Sequence, residues 1–154
     1  MMIRDAEAGD IEKCVEIASN SEIGRRYGFE RITLCTKMRS ALESGSIIIV
    51  ARESTLGDVD GFAWFDPKGA FGSAPYLKLI AVDGKRRGGG VGAALLAEYE
   101  SRTTKVGRYW TLMVSDFNDS AIAFYGKHGY VKAGELPDFA REGITEYLMV
   151  KPKR

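Results

Sequence analysis

The segment Arg87-Gly88-Gly89-Gly90-Val91-Gly92 has the composition of a turn that holds phosphate groups. Glycine permits positive φ angles and leaves no side chain between the backbone and a ligand. If the turn leads from a strand into a helix, the free amides of the first helical turn and the positive end of the helix dipole converge on one point, which suits an anion. The sequence therefore predicts a pyrophosphate-binding turn that continues through Ala93.

The glycines alone leave the kind of nucleotide open. A Walker-type loop ends in Gly-Lys-Ser/Thr, whereas Gly92 is followed by Ala93-Ala94, so ATP bound in that way is disfavoured. Gly88 to Ala93 satisfies the dinucleotide pattern G-x-G-x-x-A, and Asp116 lies about 20 residues beyond it. The turn follows strands that are predicted to be antiparallel, however, and only one strand-helix-strand crossover is predicted, which counts against NAD.

Hydrophobic periodicity and turn residues predict the elements that would position this turn. Short turns at 56–58 and 67–69 make the three middle strands an antiparallel meander. The predicted fold is α+β, in one domain over residues 1–154, and segment 21–31 is left unassigned. The elements are a strand at 3–6, a helix from Asp10, a helix at 33–43, strands at 46–52, 59–66 and 76–82, a helix at 91–103, a strand at 109–114, a helix at 118–127, and strands at 130–134 and 145–150, in the order β-α-α-β-β-β-α-β-α-β-β.

Charge and composition exclude several classes of function. The chain has 22 Lys and Arg residues against 21 Asp and Glu residues, whereas nucleic-acid-binding domains are usually strongly basic. No run approaches the roughly 18 apolar residues of a membrane span. The start, Met1 to Glu7, lacks the apolar core of a signal peptide. We expect a cytoplasmic protein that binds neither nucleic acid nor membrane.

Metal and thiol chemistry are also disfavoured. Cys14 and Cys35 have no CxxC spacing and no neighbouring histidine, so the sequence indicates neither a zinc site nor a disulfide. The single histidine, His128, falls near the end of a predicted helix, where a favourable interaction with the helix dipole accounts for it. We expect no metal.

Two motifs together resemble the GNAT superfamily of N-acetyltransferases. One is Leu79-Ile80-Ala81-Val82 followed by Arg87-x-x-Gly90-x-Gly92, and the other is Asn118-x-x-Ala121-x-x-Phe124-Tyr125-x-x-x-Gly129-Tyr130. The resemblance implies a mixed, mostly antiparallel central sheet flanked by helices. It also implies transfer of an acetyl group from acetyl-CoA to a primary amine, by direct attack in a ternary complex, and it is compatible with a homodimer.

The resemblance assigns a role to each motif. The backbone at Ile80, Ala81 and Val82 would bind the pantetheine arm, and Asn118 and Tyr125 would lie beside the cofactor. The pyrophosphate would be held by Arg87, Gly88, Gly89, Gly90, Val91, Gly92 and Ala93. The Tyr125 phenol, near the sulfur, could protonate the departing thiolate, since general acid help of this kind contributes on the order of 10²- to 10⁴-fold. Tyr125 could instead be a core aromatic, and Asn118 an N-cap.

The sequence departs from the family where many members carry a glutamate as general base. The corresponding positions here are Met113 and Tyr76. The base is therefore Asp66, Asp116 or Glu30, or water carries the proton away. This departure favours a free small-molecule amine over a protein N-terminus or lysine as the acceptor. It also keeps open a non-catalytic module that binds or senses acyl-CoA.

The resemblance places the acceptor near three segments, 21–34, 67–74 and 136–143. Their aromatic and acidic side chains would suit a cationic amine, although the same residues could close the core. They are Tyr27, Phe29, Phe71, Phe139, Asp138 and Glu142.

Overall fold

The computed structural model describes residues 1–54 and 56–154. Within these residues the chain forms seven strands and five α-helices, with short 3₁₀ turns at Ala8–Asp10 and Gly84–Arg86. The elements are β1 (Met2–Asp5), α1 (Ile11–Asn20), α2 (Glu22–Tyr27), α3 (Arg31–Leu42), β2 (Ile47–Arg52), β3 (Gly61–Ala70), β4 (Ala74–Val82), α4 (Val91–Arg102), β5 (Tyr109–Ser115), α5 (Asp119–Lys127), β6 (Val131–Pro137) and β7 (Thr145–Pro152).

The seven described strands form one sheet in the order β1-β2-β3-β4-β5-β7-β6. β2, β3 and β4 are the predicted antiparallel meander. β4 and β5 pair in parallel, and α4 makes the crossover between them. This confirms the predicted α+β class, with a mostly antiparallel sheet and one strand-helix-strand unit.

Helices cover both faces of the sheet and bury two groups of apolar side chains. On one face, α4 contributes Leu95 and Tyr99, and α5 contributes Tyr125, to a core with the sheet residues Phe65 and Leu112. On the other face, α1 and α3 pack on a second core that includes Phe62 and Trp64. Burying a large side chain fully stabilises the fold by roughly 1.5–3 kcal/mol, so the first core fixes α4 and α5, and the second fixes α1 and α3, against the central strands.

β4 and β5 separate along their length. Within the described strands they pair through Tyr76 with Thr111 and Leu77 with Leu112, near the start of each strand. Towards Val82 and Ser115 no further pairing is present, so each strand presents an unpaired backbone edge to the other. The sheet thus contains an internal gap that opens towards the end of β4.

A bulge in β4 lies at the point where this gap begins. Trp64 and Phe65 are adjacent on β3, but their partners on β4 are Leu79 and Leu77. Lys78 is therefore an extra residue without a partner on β3, which is a β-bulge. The bulge turns the backbone of β4 away from regular pairing at the apex of the gap.

The one additional helix, α2, lies in the segment that the sequence left unassigned. Ser21 caps its start by accepting a hydrogen bond from Gly24 N–H (3.1 Å), and Gly28 ends it with a left-handed φ of 63°. Gly24 packs so closely on α1 that a Cβ there would lie 2.1 Å from Ala18 O. Caps and close packing, rather than an apolar stripe, define this short helix, which is why periodicity did not predict it.

The prediction of a turn at Pro67-Lys68-Gly69 is wrong. β3 continues to Ala70, and the turn lies at Phe71, Gly72 and Ser73. Between the pairs Asp66–Tyr76 and Ala70–Ala74, residues 67–69 face the single residue Pro75. Turn-forming residues here bulge the strand instead of ending it, because pairing resumes beyond them.

The remaining elements agree with the prediction apart from a few residues at their ends. α3 begins at Arg31 instead of Thr33, because Glu30 caps it and accepts hydrogen bonds from Ile32 N–H (3.1 Å) and Thr33 N–H (2.9 Å). β6 starts at Val131 and extends to Pro137, beyond the predicted end at Gly134.

Candidate active site

The glycine segment joins β4 to α4, as predicted, and the Gly89 N–H donates to Arg86 O (3.3 Å) within it. Gly88 and Gly90 have φ angles of 81° and 85°, and Gly90 is the N-cap of α4 with no side-chain cap. The first backbone bond of the helix runs from Ala94 N–H to Gly90 O (3.0 Å). The amides of residues 91–93 precede that bond, so they have no acceptor within α4 and lie at its positive end.

Two carboxylates, those of Asp60 and Asp83, hold the residues just before this turn in place. Asp60 is 8% exposed; it accepts a hydrogen bond from Glu53 N–H (2.7 Å) and forms an ion pair with Arg86 Nε (3.2 Å). Asp83 accepts from Lys85 N–H (3.1 Å). Arg87 is exposed and forms no ion pair with a described residue, so its charge is available to an anion. Sequence reasoning missed Asp60, whose position just before β3 was its only signal.

The predicted pantetheine-binding residues lie on the open part of β4. Ile80 and Val82 direct their side chains to the α4–α5 core, and Ala81 directs its own to the α1–α3 core. Their backbone borders the gap to β5 and leads directly into the glycine turn. An unpaired strand edge can bind an extended chain by adding it as a further strand, and here such a chain would end at an anion-binding turn.

α5 packs on the start of α4 and brings the second predicted motif to the gap. A Cβ at Gly92 would lie 3.5 Å from Phe124 Cζ, so the two helices are in close contact there. Asn118 is the N-cap of α5, and its Oδ1 accepts from Ala121 N–H (3.3 Å). The predicted capping role of Asn118 is therefore confirmed.

Tyr125 lies on α5, next to Phe124, and is 7% exposed. Its ring packs edge-on against Phe124 and Tyr130, with centroid distances of 5.4 and 5.9 Å. Burial raises the pKa of the Tyr125 phenol well above its ordinary value, and the nearby Tyr76 raises it further. The phenol thus keeps its proton at neutral pH. Its hydroxyl hydrogen-bonds to no other described residue, so the proton is free for a ligand.

The three acidic residues predicted as bases have other partners. Glu30 caps α3. Asp66 accepts from Ser46 Oγ and lies 3.9 Å from Lys78 Nζ. Asp116 Oδ2 accepts from Thr145 N–H (3.4 Å).

Of the predicted acceptor residues, Tyr27 and Phe29 are half-buried and pack edge-on at 6.3 Å. Phe71 and Phe139 are 94% and 59% exposed at hairpin tips. Phe71 belongs to the turn before β4, at the opposite end of that strand from the glycine segment. The structure therefore does not bring the four aromatics together.

A buried carboxylate that the sequence analysis did not select lies near the open end of β5. Glu146, at the start of β7, is 6% exposed and pairs across the strands with Ser115. Its Oε2 accepts from Ser115 Oγ (2.8 Å) and from the Tyr27 hydroxyl. The available signal was an acidic residue within a strand that is otherwise largely apolar.

A cavity of about 270 Å³ adjoins the glycine turn. It lies between the end of α1 and the segment that follows β4, and its lining includes Ile17, Asn20, Val82, Asp83 and Arg87. Among the described residues no group of three His, Cys, Asp or Glu side chains is placed to hold a metal ion. None of the helices in residues 1–54 and 56–154 is both long and apolar enough to cross a membrane.

Known proteins share the fold described above. The Acetyltransferase (GNAT) domain family matches residues 44–132. Blasticidin-S acetyltransferase from Streptomyces morookaense is 34% identical over 76 residues, which are 49% of this chain and 55% of that protein. The chain thus spans about half the length of that relative.

Two solved structures superpose on almost the whole chain. Ard1 from Thermoplasma volcanium has a TM-score of 0.77 at 25% identity and covers 99% of this chain and 97% of its own. An aminoglycoside 6'-N-acetyltransferase complexed with coenzyme A has a TM-score of 0.79 at 16% identity, with coverages of 100% and 98%. The family match extends over more than half of the sequence, and the chain therefore belongs to the GNAT superfamily of acetyltransferases.

Proposed function

We propose that this protein transfers an acetyl group from acetyl-CoA to a primary amine of a small molecule, by direct attack in a ternary complex. The observation that carries the proposal is the unpaired edge of β4, which runs into the uncapped start of α4, on which the helix that carries Tyr125 packs. These three features provide a groove for an extended arm, a place for its phosphates and a proton donor.

The residues present fit coenzyme A. The pantetheine arm carries amide groups, and the free backbone at Ile80, Ala81 and Val82 can exchange hydrogen bonds with them as a strand would. The pyrophosphate suits the free amides at 91–93 and the exposed Arg87, because helix N-termini attract anions. Asn118 lies at the start of α5, next to this groove. NAD fits less well, because the described sheet has a single parallel crossover.

The protein's own groups supply the proton transfers. A neutral amine attacks the thioester carbonyl, and a backbone N–H of β4 near Ile80 can stabilise the negative charge that develops on the oxygen. The sulfur leaves as a thiolate and takes the proton of the Tyr125 hydroxyl. Since Tyr125 stays protonated at neutral pH, it is ready to donate in each cycle.

Two similar proteins support a small-molecule acceptor. One carries the name Blasticidin-S acetyltransferase, and the other is an aminoglycoside 6'-N-acetyltransferase. Both names describe acetylation of small molecules. We therefore place the acceptor of this protein among free amines rather than protein N-termini.

Thermal unfolding with different nucleotides tests the cofactor assignment. A ligand at 100 times its dissociation constant stabilises the native state by about 2.7 kcal/mol, which corresponds to roughly 5–10 °C for a chain of this size. We expect acetyl-CoA and CoA to raise the melting temperature by this amount, and NAD and ATP to leave it unchanged.

Transfer is then measured as thiol release with blasticidin S, kanamycin, spermidine and a peptide with a free N-terminus. We expect thiol release with one of the small amines. Stabilisation by NAD alone would contradict the proposal. Stabilisation by acetyl-CoA without transfer to any amine would favour the acyl-CoA-sensing alternative.

A substitution at Gly90 tests the glycine turn. Gly90→Ala forces an L-residue to adopt a φ of 85°, which costs about 1–2 kcal/mol. If the turn relaxes to avoid that cost, its amides leave the pyrophosphate, and we expect the acetyl-CoA dissociation constant to rise about tenfold by calorimetry. Gly84→Ala is the matched control, because Gly84 has open space around its Cα and no positive φ. Equal affinities in both variants would contradict the role of this turn.

A further inference from the structure

The Glu146 carboxylate has an unusual environment for a charged group. It is 6% exposed, and it forms no salt bridge with a described residue. Its known donors are two neutral hydroxyl groups, those of Tyr27 and Ser115. Buried charges in proteins are ordinarily paired with an opposite charge. A positive partner for Glu146 is therefore missing from the described part of the chain.

The two oxygens of this carboxylate differ. Tyr27 and Ser115 both bond to Oε2, whereas Oε1 accepts from no described residue. Among the described residues, Ser19 Oγ is the one fully buried side-chain polar atom that lacks a partner. Oε1 is not such an atom, so it keeps some access to solvent. The small exposed part of Glu146 thus includes an oxygen with free lone pairs.

Glu146 also lies beside the gap between β4 and β5. Its strand partner Ser115 is the last residue of β5, on the part of that strand that has left β4. Tyr147 packs on the α4–α5 core, so Glu146, the preceding residue of β7, points to the opposite face of the sheet, where Tyr27 meets it.

The Tyr76 phenol interacts electrostatically with both Glu146 and Tyr125. Burial raises the pKa of the Tyr76 phenol, and Glu146 is the next largest cause. Tyr76 in turn contributes to the raised pKa of Tyr125. Tyr76 itself pairs with Thr111, where β4 and β5 are still joined, so both influences act on a residue next to the start of the gap.

We propose that Glu146 Oε1 binds the ammonium group of the acceptor and takes a proton from it, with Ser115 and Tyr27 holding the carboxylate in position. This assignment rests on the proposed acetyl transfer. It identifies the acceptor as a primary ammonium that enters from the α2 side of the sheet. Bound there, the ammonium is the counter-ion that Glu146 lacks.

The protons and bonds of the proposed acetyl transfer balance. The ammonium R–NH₃⁺ gives one proton to Glu146 and becomes a neutral amine. The C–N bond forms, the C–S bond breaks, and the thiolate takes the Tyr125 proton. The Tyr125 phenolate takes the second proton of the nitrogen, and Glu146 releases its proton to solvent. The net products are the amide, the thiol and one proton.

The conservative variant Glu146→Gln removes the charge of the side chain and keeps its shape. Glutamine Oε1 still accepts from Ser115 and Tyr27, so the fold keeps these bonds. We expect kcat/KM for the amine that the wild type acetylates to fall about 10- to 100-fold, which is the contribution of a hydrogen bond to a charged group. Acetyl-CoA affinity, measured by calorimetry, should change less than twofold. Glu135→Gln, on the exposed part of β6, is the matched control and should keep full activity.

A second measurement uses the wild-type protein loaded with CoA. We expect benzylammonium to bind at least ten times more tightly than benzyl alcohol by calorimetry, and this preference to vanish in Glu146→Gln. Equal binding of the two probes, or full transfer activity in Glu146→Gln, would overturn the assignment while leaving the transferase proposal intact. Absence of acetyl-CoA binding in the wild type would instead contradict the proposed function, and the two probes, then measured on the protein without CoA, would still decide whether Glu146 binds ammonium.

Discussion

Replacing Tyr125 by phenylalanine is expected to lower kcat for amine acetylation on the order of 10²- to 10⁴-fold, the range of general acid catalysis. The variant removes one hydroxyl from a ring that is otherwise buried between Phe124 and Tyr130. That hydroxyl bonds to no other described residue, so its loss leaves no described polar group without a partner. The acetyl-CoA dissociation constant and the melting temperature should therefore stay near their wild-type values.

The control for this variant is Tyr109→Phe. Tyr109 lies at the start of β5 and is 46% exposed, so it loses the same hydroxyl far from the glycine turn. Because burial raises the pKa of Tyr125, the wild-type kcat should not decline through ionisation of this phenol between about pH 7 and 9, below the ordinary tyrosine pKa. Single-turnover rates measured across that range give both tests, and equal rates in Tyr125→Phe and the wild type would exclude the acid role.

Replacing Gly107 by alanine is expected to destabilise the fold by about 2–5 kcal/mol. Gly107 has a φ of 69°, and a Cβ there would lie 2.4 Å from Ser73 O. The left-handed conformation costs an L-residue about 1–2 kcal/mol, and forcing an atom into packed structure costs about 1–3 kcal/mol. Urea denaturation measures the change in the free energy of unfolding, and thermal unfolding should shift by roughly 5–15 °C.

Gly28→Ala separates the two causes. Gly28 has a similar φ of 63°, but a Cβ there would meet no atom within 4 Å. It should therefore cost only the conformational part, about 1–2 kcal/mol. An equal loss in both variants would show that the contact between Gly107 and Ser73 does not contribute.

The contact at Gly107 also affects the gap. It joins the segment before β5 to the turn before β4, close to the pairs Tyr76–Thr111 and Leu77–Leu112. Thr111 Oγ1 donates to Pro75 O (2.7 Å) at the same end. These contacts hold one end of the two strands together while the other end stays open.

The sequence predicted the glycine turn and the N-cap at Asn118 from local rules, whereas the cofactor roles of Asn118 and Tyr125 came from the resemblance to the GNAT superfamily. A positive φ favours glycine and a helix start favours a capping side chain, so both features leave a signal within a few residues. The strand-helix-strand unit was predictable for the same reason, since apolar periodicity changes from strand to helix at Val91.

The gap and the carboxylate could not be predicted in the same way. Whether two parallel strands stay paired depends on bulges and on contacts between distant segments, and the residue types of Lys78 and Gly107 do not reveal this. Glu146 is far in sequence from Tyr27, and only the folded sheet brings them together. The sequence analysis therefore named Glu30, Asp66 and Asp116 as candidate bases and not Glu146, which the fold buries without a salt bridge to a described residue.

The separated strands have a consequence for the protein when nothing lies between them. An unpaired strand edge is a template for pairing with another chain, and proteins ordinarily protect such edges to avoid aggregation. Here the exposed edges lie in the middle of the sheet, between β4 and β5. Coenzyme A bound along β4, as proposed above, would cover them as a missing strand would, and we expect it to reduce self-association of the chain.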